Sequence, residues 1–226
     1  MQSPLTQDVC VVIPVYNEAP VIRDVIATVR QHFPLVVCVD DGSSDMSALE
    51  IEQAGAILVQ HPINLGQGAA LRTGLEFGLS LPSAKIFVTF DADGQHNITD
   101  VLPMIDILRR GGTGIVFGSR FLDDRTKVGV AKRVVLGAAV KYSQMSTGLS
   151  LSDTHNGLRA FTREVAAALE LKLNGMAHAS ELLSIVAERK FPYTEVPVHI
   201  RYTDYSRDKG QPLMNGVNIL FDLLFR

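Results

Sequence analysis

Short β-branched runs alternate with segments of helical period through the first half of the chain. Val9 to Pro14, Leu35 to Asp40, Ala56 to Gln60, Lys85 to Phe90 and Gly114 to Gly118 have the length and apolar content of buried strands. Between them, Ala19 to His32, Asp45 to Ala54, Gly66 to Leu81 and Thr99 to Arg110 repeat apolar residues at helical spacing, with Ser44 or Asp45 and Thr99 as candidate N-caps. Apolar strands that alternate with helices predict a mostly parallel central sheet flanked by helices on both faces. The second half has another texture. A long helical stretch runs from Val130 to Thr147, then a glycine-bearing turn and strand from Asp153 to Phe161, a helix from Ala179 to Lys190 and a strand from Tyr193 to Tyr202. A polar loop, Thr203 to Pro212, leads into an apolar helix ending at Phe225.

No linker, repeat or low-complexity tract interrupts the 226 residues, and 46% hydrophobic residues suffice for one substantial core. We expect a single α/β domain over residues 1–226. The net charge of −3 supplies no general attraction for nucleic acid, so any polyanion must be met by a few placed cations. Cys10 and Cys38 lie inside apolar runs without metal-ligand or disulfide spacing, and read as reduced core thiols. Met1 to Asp8 carries no signal-peptide pattern and no apolar run approaches bilayer length. The expected location is cytoplasmic, with at most a peripheral contact at the inner face of the membrane.

The chemistry gathers where the predicted strands end, which is where open α/β sheets bind ligands. The first strand ends in Pro14-Val15-Tyr16-Asn17-Glu18, the second in Asp40-Asp41-Gly42-Ser43-Ser44-Asp45, and the fourth in Asp91-Ala92-Asp93-Gly94-Gln95-His96. Carboxylates crowded on one edge repel and raise one another's pKa, a conflict that a divalent cation relieves. Oxygens from Asp91 and Asp93, joined by the Gln95 carbonyl, suit Mg²⁺ or Mn²⁺, which keep positions open for water and phosphate oxygens. Gly66 and Gly68 open a helix whose free N–H groups are expected to face a phosphate, with Arg72 one turn later adding a cation. A flexible turn into a helix is the alternative.

Val12-Ile13-Pro14-Val15-Tyr16-Asn17-Glu18, Val39-Asp40-Asp41-Gly42-Ser43-Ser44-Asp45 and Asp91-Ala92-Asp93-Gly94-Gln95-His96 resemble the signature of family 2 glycosyltransferases. The stretches Asn64 to Gly74, Gly118 to Phe121 and Asp153 to Phe161 are similar to the branch containing dolichol-phosphate mannose synthase and bacterial polyprenyl-phosphate sugar transferases. The resemblance implies a GT-A fold with a nucleotide-sugar and metal-binding half in residues 1–125 and an acceptor-binding half in 126–226. It also implies a metal-dependent, inverting transfer from a UDP- or GDP-linked sugar to a polyprenyl-phosphate or lipid-linked acceptor in cell-surface glycan synthesis. Carried over by position, Pro14, Tyr16, Glu18 and Asp40 or Asp41 hold the nucleoside, and Arg72, Asp91 and Ala92 lie at the nucleotide sugar. Asp91, Asp93 and Gln95 surround the metal, and Asp93 and Arg120 serve catalysis. The residues agree with this: a carboxylate accepts from a base N–H or a ribose hydroxyl, and Tyr16 offers a flat face to the base.

Arg120 closes a strand and is expected beside the diphosphate or the acceptor phosphate, because a buried guanidinium needs an anionic partner. Asp153 and Arg159 are expected to pair with each other while shaping the sugar pocket, with Arg159 also a ligand for acceptor or diphosphate. His96 and His155 have the chemistry for metal or phosphate contact. An acceptor that is already a phosphate anion needs cations, whereas a hydroxyl acceptor needs a base. For the phosphate, Arg201, Arg207 and Lys209 stand in the polar loop, and Lys132, Arg133 and Lys141 on the long helix suit a headgroup. For the hydroxyl, Glu181 is the candidate base, the alternative being a carboxylate favoured by the helix dipole. Val217 to Arg226 packs on the core, pairs two subunits as a homodimer or lies in a bilayer interface. A sugar-1-phosphate nucleotidyltransferase is the distant alternative; Pro14 to Glu18 stands where those enzymes carry a glycine-rich basic loop.

Overall fold

The apolar runs become strands, and those inside the sheet are buried on both faces, because they offer no polar alternation that water could solvate. In the computed structural model, which describes residues 6–123, 130–201 and 205, these are β1 (Val9–Val15), β2 (Leu35–Asp40), β3 (Ile57–Gln60), β4 (Ile86–Thr89), β5 (Ile115–Ser119), β6 (Arg159–Thr162) and β7 (Tyr193–Pro197). They form one sheet in the order β3-β2-β1-β4-β6-β5-β7. The helices are α1 (Ile22–Arg30), α2 (Ser47–Gln53), α3 (Gln67–Ser80), α4 (Val101–Arg110), α5 (Val130–Thr147), α6 (Arg163–Ala168) and α7 (His178–Glu188). Successive β1 residues feed opposite cores. Val11 and Ile13 join Val29, Met104 and Ile105 from α1 and α4. Cys10 and Val12 join Leu75, Phe161, Val165 and Leu182 on the face covered by α3, α6 and α7.

The chain runs outward from β1 through β2 to β3, then returns to place β4 on the other side of β1, all in parallel. This leaves a switch point between β1 and β4, with a crevice beyond their carboxyl ends. β6 alone runs antiparallel, wedged between β4 and β5, with Arg159 opposite both Thr89 and Phe117. An antiparallel strand presents its first residue where its parallel neighbours present their last. Arg159 therefore joins the same functional edge as Asp91.

Several boundaries differ from expectation for local reasons. The N–H groups of Val21 and Ile22 both donate to the Glu18 carbonyl, so residues 19–21 form a turn and α1 begins at Ile22. Neither Ser44 nor Asp45 is the N-cap of α2: Met46 occupies that position, and Asp45 reaches in from outside to accept from the Ser47 N–H at 2.9 Å. The Thr99 N–H donates to Asn97, which caps the 3₁₀ turn Ile98–Asp100 ahead of α4. Of the turn and strand expected around Asp153 to Phe161, the strand part begins at Arg159. Thr162 then caps a short helix, α6, that the pattern did not announce. β7 ends at Pro197, and a single bridge pairs Ile200 with His96. Cys10 and Cys38 are buried free thiols, and burial pushes Cys10 up to about 12 and Cys38 higher still. Among the described residues no helix is long and apolar enough to cross a membrane. Arg207, Lys209 and Val217 to Arg226 lie outside the described residues, as does the side chain of Lys132.

Candidate active site at the switch point

The loops after β1 and β2 are laced together by backbone donors. Asn17, held at φ 54°, donates its N–H to the Ser43 hydroxyl and accepts at its amide oxygen from the Ser44 N–H at 2.8 Å. The Glu18 N–H donates to the Ser47 hydroxyl at 2.8 Å. This bracing leaves Tyr16 about half exposed over the crevice and the Glu18 carboxylate accepting from the Tyr205 hydroxyl at 2.7 Å. Tyr205 stands in the polar loop singled out in the sequence for its cations, but is not itself a candidate there.

Asp40 and Asp41 are both buried, and they do different work. Asp40 accepts from the Ser43 N–H within its own turn and from the Gln60 side-chain amide at the end of β3. Asp41 accepts from the Leu65 and Gly66 N–H groups and from His61 Nδ1, whose Nε2 faces the Thr73 hydroxyl at 2.9 Å. Asp41 thus organises the approach to α3. His61 escaped the sequence reading, although it follows Gln60, which pairs in register with Asp40.

The start of α3 does not face a phosphate. The Gly68 N–H donates to the Asn174 carbonyl at 2.6 Å, and Arg72 donates to the Leu171 carbonyl at 3.1 Å. A side chain at Gly68 would collide with this segment, lying 2.8 Å from His178 Cβ. The glycines admit protein backbone where a ligand was expected.

At the end of β4, Asp91 accepts from His96 Nε2 at 2.8 Å, and the His96 ring packs edge-on against Phe90. Burial opposes ionisation of Asp91, but the adjoining His96, with Arg159 and His178 beyond, outweighs it and holds the carboxyl below its usual range. Asp93 moves the other way. Burial and then the charge of Asp91 push it up to about 6, the conflict expected of two carboxylates sharing a cleft. Asp93 also accepts from the Gln95 N–H at 3.0 Å, and Ala92 between the two carboxylates is buried. The Gln95 carbonyl, expected at the metal, accepts instead from the Arg201 N–H at 2.9 Å and pins the returning chain; the Arg201 side chain is exposed. Among the described residues no group of three His, Cys, Asp or Glu side chains is placed to hold a metal. Two carboxylates that repel each other fit an ion that takes its remaining ligands from water and a diphosphate.

The expected Asp153–Arg159 pair is not formed. Asp153 is bound in fork fashion by Arg120, with Nε at 2.6 Å and Nη2 at 2.7 Å, and accepts the Arg120 N–H as well. That arrangement holds Asp153 below the usual carboxylate range against the cost of burial. Glu195 fixes the same turn, accepting from the Ser152 and Asp153 N–H groups. Pairing was misjudged because Arg120 and Asp153 are far apart in sequence and meet only when β5 and the turn before β6 come together. Glu181 is likewise engaged: its two oxygens accept from the N–H groups of Lys172 and Leu173 at 2.9 to 3.0 Å.

A switch-point crevice lined by carboxylates above parallel strand ends, with one antiparallel strand inserted beside β4, defines a GT-A glycosyltransferase. The chain belongs to glycosyl transferase family 2, whose family model matches residues 10–169. It is 31% identical to the UDP-N-acetylglucosamine–dolichyl-phosphate N-acetylglucosaminyltransferase of Methanococcus voltae, over 94% of this chain and 93% of that protein. It is also 31% identical to the polyprenol monophosphomannose synthase of Mycolicibacterium smegmatis, over 95% of this chain and 83% of that one. The glucosyl-3-phosphoglycerate synthase of Mycobacterium tuberculosis, solved with UDP, shares the fold at a TM-score of 0.71 and 20% identity, over 96% of this chain and 79% of that one. The same synthase has been solved with UDP together with Mg²⁺ and with Mn²⁺. Family membership displaces the sugar-1-phosphate nucleotidyltransferase alternative.

Proposed function

We propose that this glycosyltransferase moves a sugar from a nucleotide-diphosphate sugar to a polyprenyl phosphate, by a single inverting displacement that depends on Mg²⁺ or Mn²⁺. The observation that carries the reading is the Asp91–Asp93 pair at the end of β4, with Asp93 raised by burial and then by its neighbour's charge. Asp91 and Asp93 would hold the ion, which when bound neutralises charge on the departing diphosphate. Tyr16 offers its exposed ring to the base, and Glu18 with Pro14 borders the same opening. Asp40 and Asp41 act one layer further in, by shaping the loops. Residues 1–125 serve the donor, and the acceptor meets the elements that follow.

The engagement of Glu181 with backbone favours a phosphate acceptor. Glu181, the candidate base for a hydroxyl, spends both oxygens on backbone N–H groups, and a phosphate oxygen attacks without being deprotonated first. Both named relatives act on polyprenyl-type phosphates by their descriptions, which supports the same class here. The test is a screen of UDP- and GDP-linked sugars for nucleotide release with and without a polyprenyl phosphate, on the wild type and on Asp93→Ala. Release stimulated by the lipid phosphate and abolished by Asp93→Ala is expected. Undiminished transfer by Asp93→Ala in chelator-treated buffer refutes the metal assignment.

A further inference from the structure

Asp91 has one hydrogen-bonded partner among the described residues, and that partner takes one of its two oxygens. His96 Nε2 lies 2.8 Å from Asp91 Oδ2. An ionised carboxylate only accepts, so Nε2 carries the proton. Arg159 and His178 act on Asp91 through space without bonding to it. The backbone of Gly157 packs against the carboxyl group and leaves no room there for even a methyl. Oδ1 accepts nothing from the described residues, and the Asp91 side chain is 31% exposed to the crevice. One oxygen is tied and the other is open.

The histidine that ties it is itself immobilised. Its side chain is 3% exposed, and its ring meets Phe90 edge-on with 5.3 Å between centroids. Its backbone bridges Ile200 in the antiparallel sense, while the neighbouring Gln95 carbonyl accepts from the Arg201 N–H. Nδ1 is buried with no hydrogen-bond partner. An unpartnered buried nitrogen is a stability cost and is uncommon in folded proteins, so a residue that carries one is not there for stability alone. Neither nitrogen is offered to an ion: Nε2 is spent on Asp91, and Nδ1 is sealed from the crevice.

We propose that His96 is the positioning residue of the metal centre: by holding Oδ2 it turns Asp91 so that Oδ1 is the oxygen given to the divalent ion, without touching the ion itself. This role rests on the Mg²⁺ or Mn²⁺ reading above and deepens it. It replaces the expectation that His96 meets metal or phosphate directly. Outer partners that orient a metal-binding side chain are typically worth about 10- to 100-fold in metal affinity. The segment after β7 thereby gains a part in metal binding, because Ile200 and Arg201 hold the turn that carries His96.

The experiment titrates the full chain with Mn²⁺ in the presence of UDP or GDP and follows the free ion by electron paramagnetic resonance, for the wild type, His96→Phe and His96→Gln. Phe keeps a ring packed on Phe90 but has no N–H, whereas the Gln amide can place an N–H where Nε2 stood. Mn²⁺ affinity is expected to fall about tenfold or more in His96→Phe and to be largely restored in His96→Gln. Binding of the nucleotide itself in EDTA, read by calorimetry, should be the same in all three, which a general distortion of the site would not allow. Wild-type crystals soaked with Mn²⁺ and the nucleotide should show the anomalous peak of the ion nearest to Asp91 Oδ1 with His96 still on Oδ2, and this arm decides the matter if neither variant folds. Unchanged Mn²⁺ affinity in a folded His96→Phe, a His96→Gln as weak as His96→Phe, metal-free nucleotide binding lost along with the metal, or an ion bound to His96 or to Asp91 Oδ2 overturns this role alone. Failure of the wild type to bind Mn²⁺ with either nucleotide overturns the metal reading and this role with it.

Discussion

Gly157→Ala tests how tightly the Asp91 carboxylate is seated. A Cβ built on Gly157 would stand 2.5 Å from Asp91 Oδ1 and 2.7 Å from Cγ, whereas ordinary contact begins near 3.4 Å. Gly157 cannot easily give way, because its carbonyl accepts from the Thr89 hydroxyl at 2.6 Å and its neighbours lead directly into β6. Asp91 must therefore retreat by about 1 Å and strain its 2.8 Å bond from His96. Overpacking of this size costs roughly 1–3 kcal/mol of stability. A misplacement of about 1 Å at a reacting centre costs on the order of 100-fold in rate. The assay pairs initial rates of nucleotide release with a titration of free Mn²⁺ by its electron paramagnetic resonance signal in the presence of nucleoside diphosphate. Both rate and Mn²⁺ affinity should fall while the thermal midpoint drops only modestly. Gly137→Ala, in α5 where an added Cβ meets nothing within 4 Å, should be neutral or stabilise by up to about 1 kcal/mol through helix propensity. Wild-type rate and Mn²⁺ affinity in Gly157→Ala would refute the idea that this glycine seats Asp91.

Asp153→Asn leaves Arg120 buried without its counter-charge and should cost about 3–5 kcal/mol in chemical denaturation, as breaking a buried pair does; a loss below about 1 kcal/mol contradicts that role. Glu181→Gln should keep most of the transfer activity, since the carboxylate anchors Lys172 and Leu173; a fall of about 100-fold or more would instead mark a catalytic base. His178, lowered to about 4 by burial and by Arg159 and holding its Nδ1–H on the Gly175 carbonyl, makes stability depend on pH. Between that value and its ordinary 6.5 the unfolded chain binds the extra proton. The stability is thus full above about 6.5 and is lost as pH falls toward 4, by up to roughly 3 kcal/mol. Thermal melts across this window should show a slope that His178→Asn flattens, and an unchanged slope removes His178 as its cause.

The sequence by itself determined the parallel scaffold and the strand-end clusters. Strands such as β2, apolar from Leu35 to Val39, have no conformation other than a buried one that satisfies both side chains and backbone. The motifs at Tyr16, Asp41 and Asp91 follow those strands within a few residues, so locating the strands located the site. Tertiary structure decided the partners. Whether Asp153 meets Arg159 or Arg120 depends on which strands become neighbours, and the inserted antiparallel β6 is not written in local periodicity. The same holds for the backbone of Leu173 and Asn174 against α3, which converts an apparent phosphate cradle into a packing contact. Hydrophobic period is a property of adjacent residues and survives in the linear text. Charge pairing acts over a few ångströms between residues tens of positions apart, and it exists only once the sheet has brought them together.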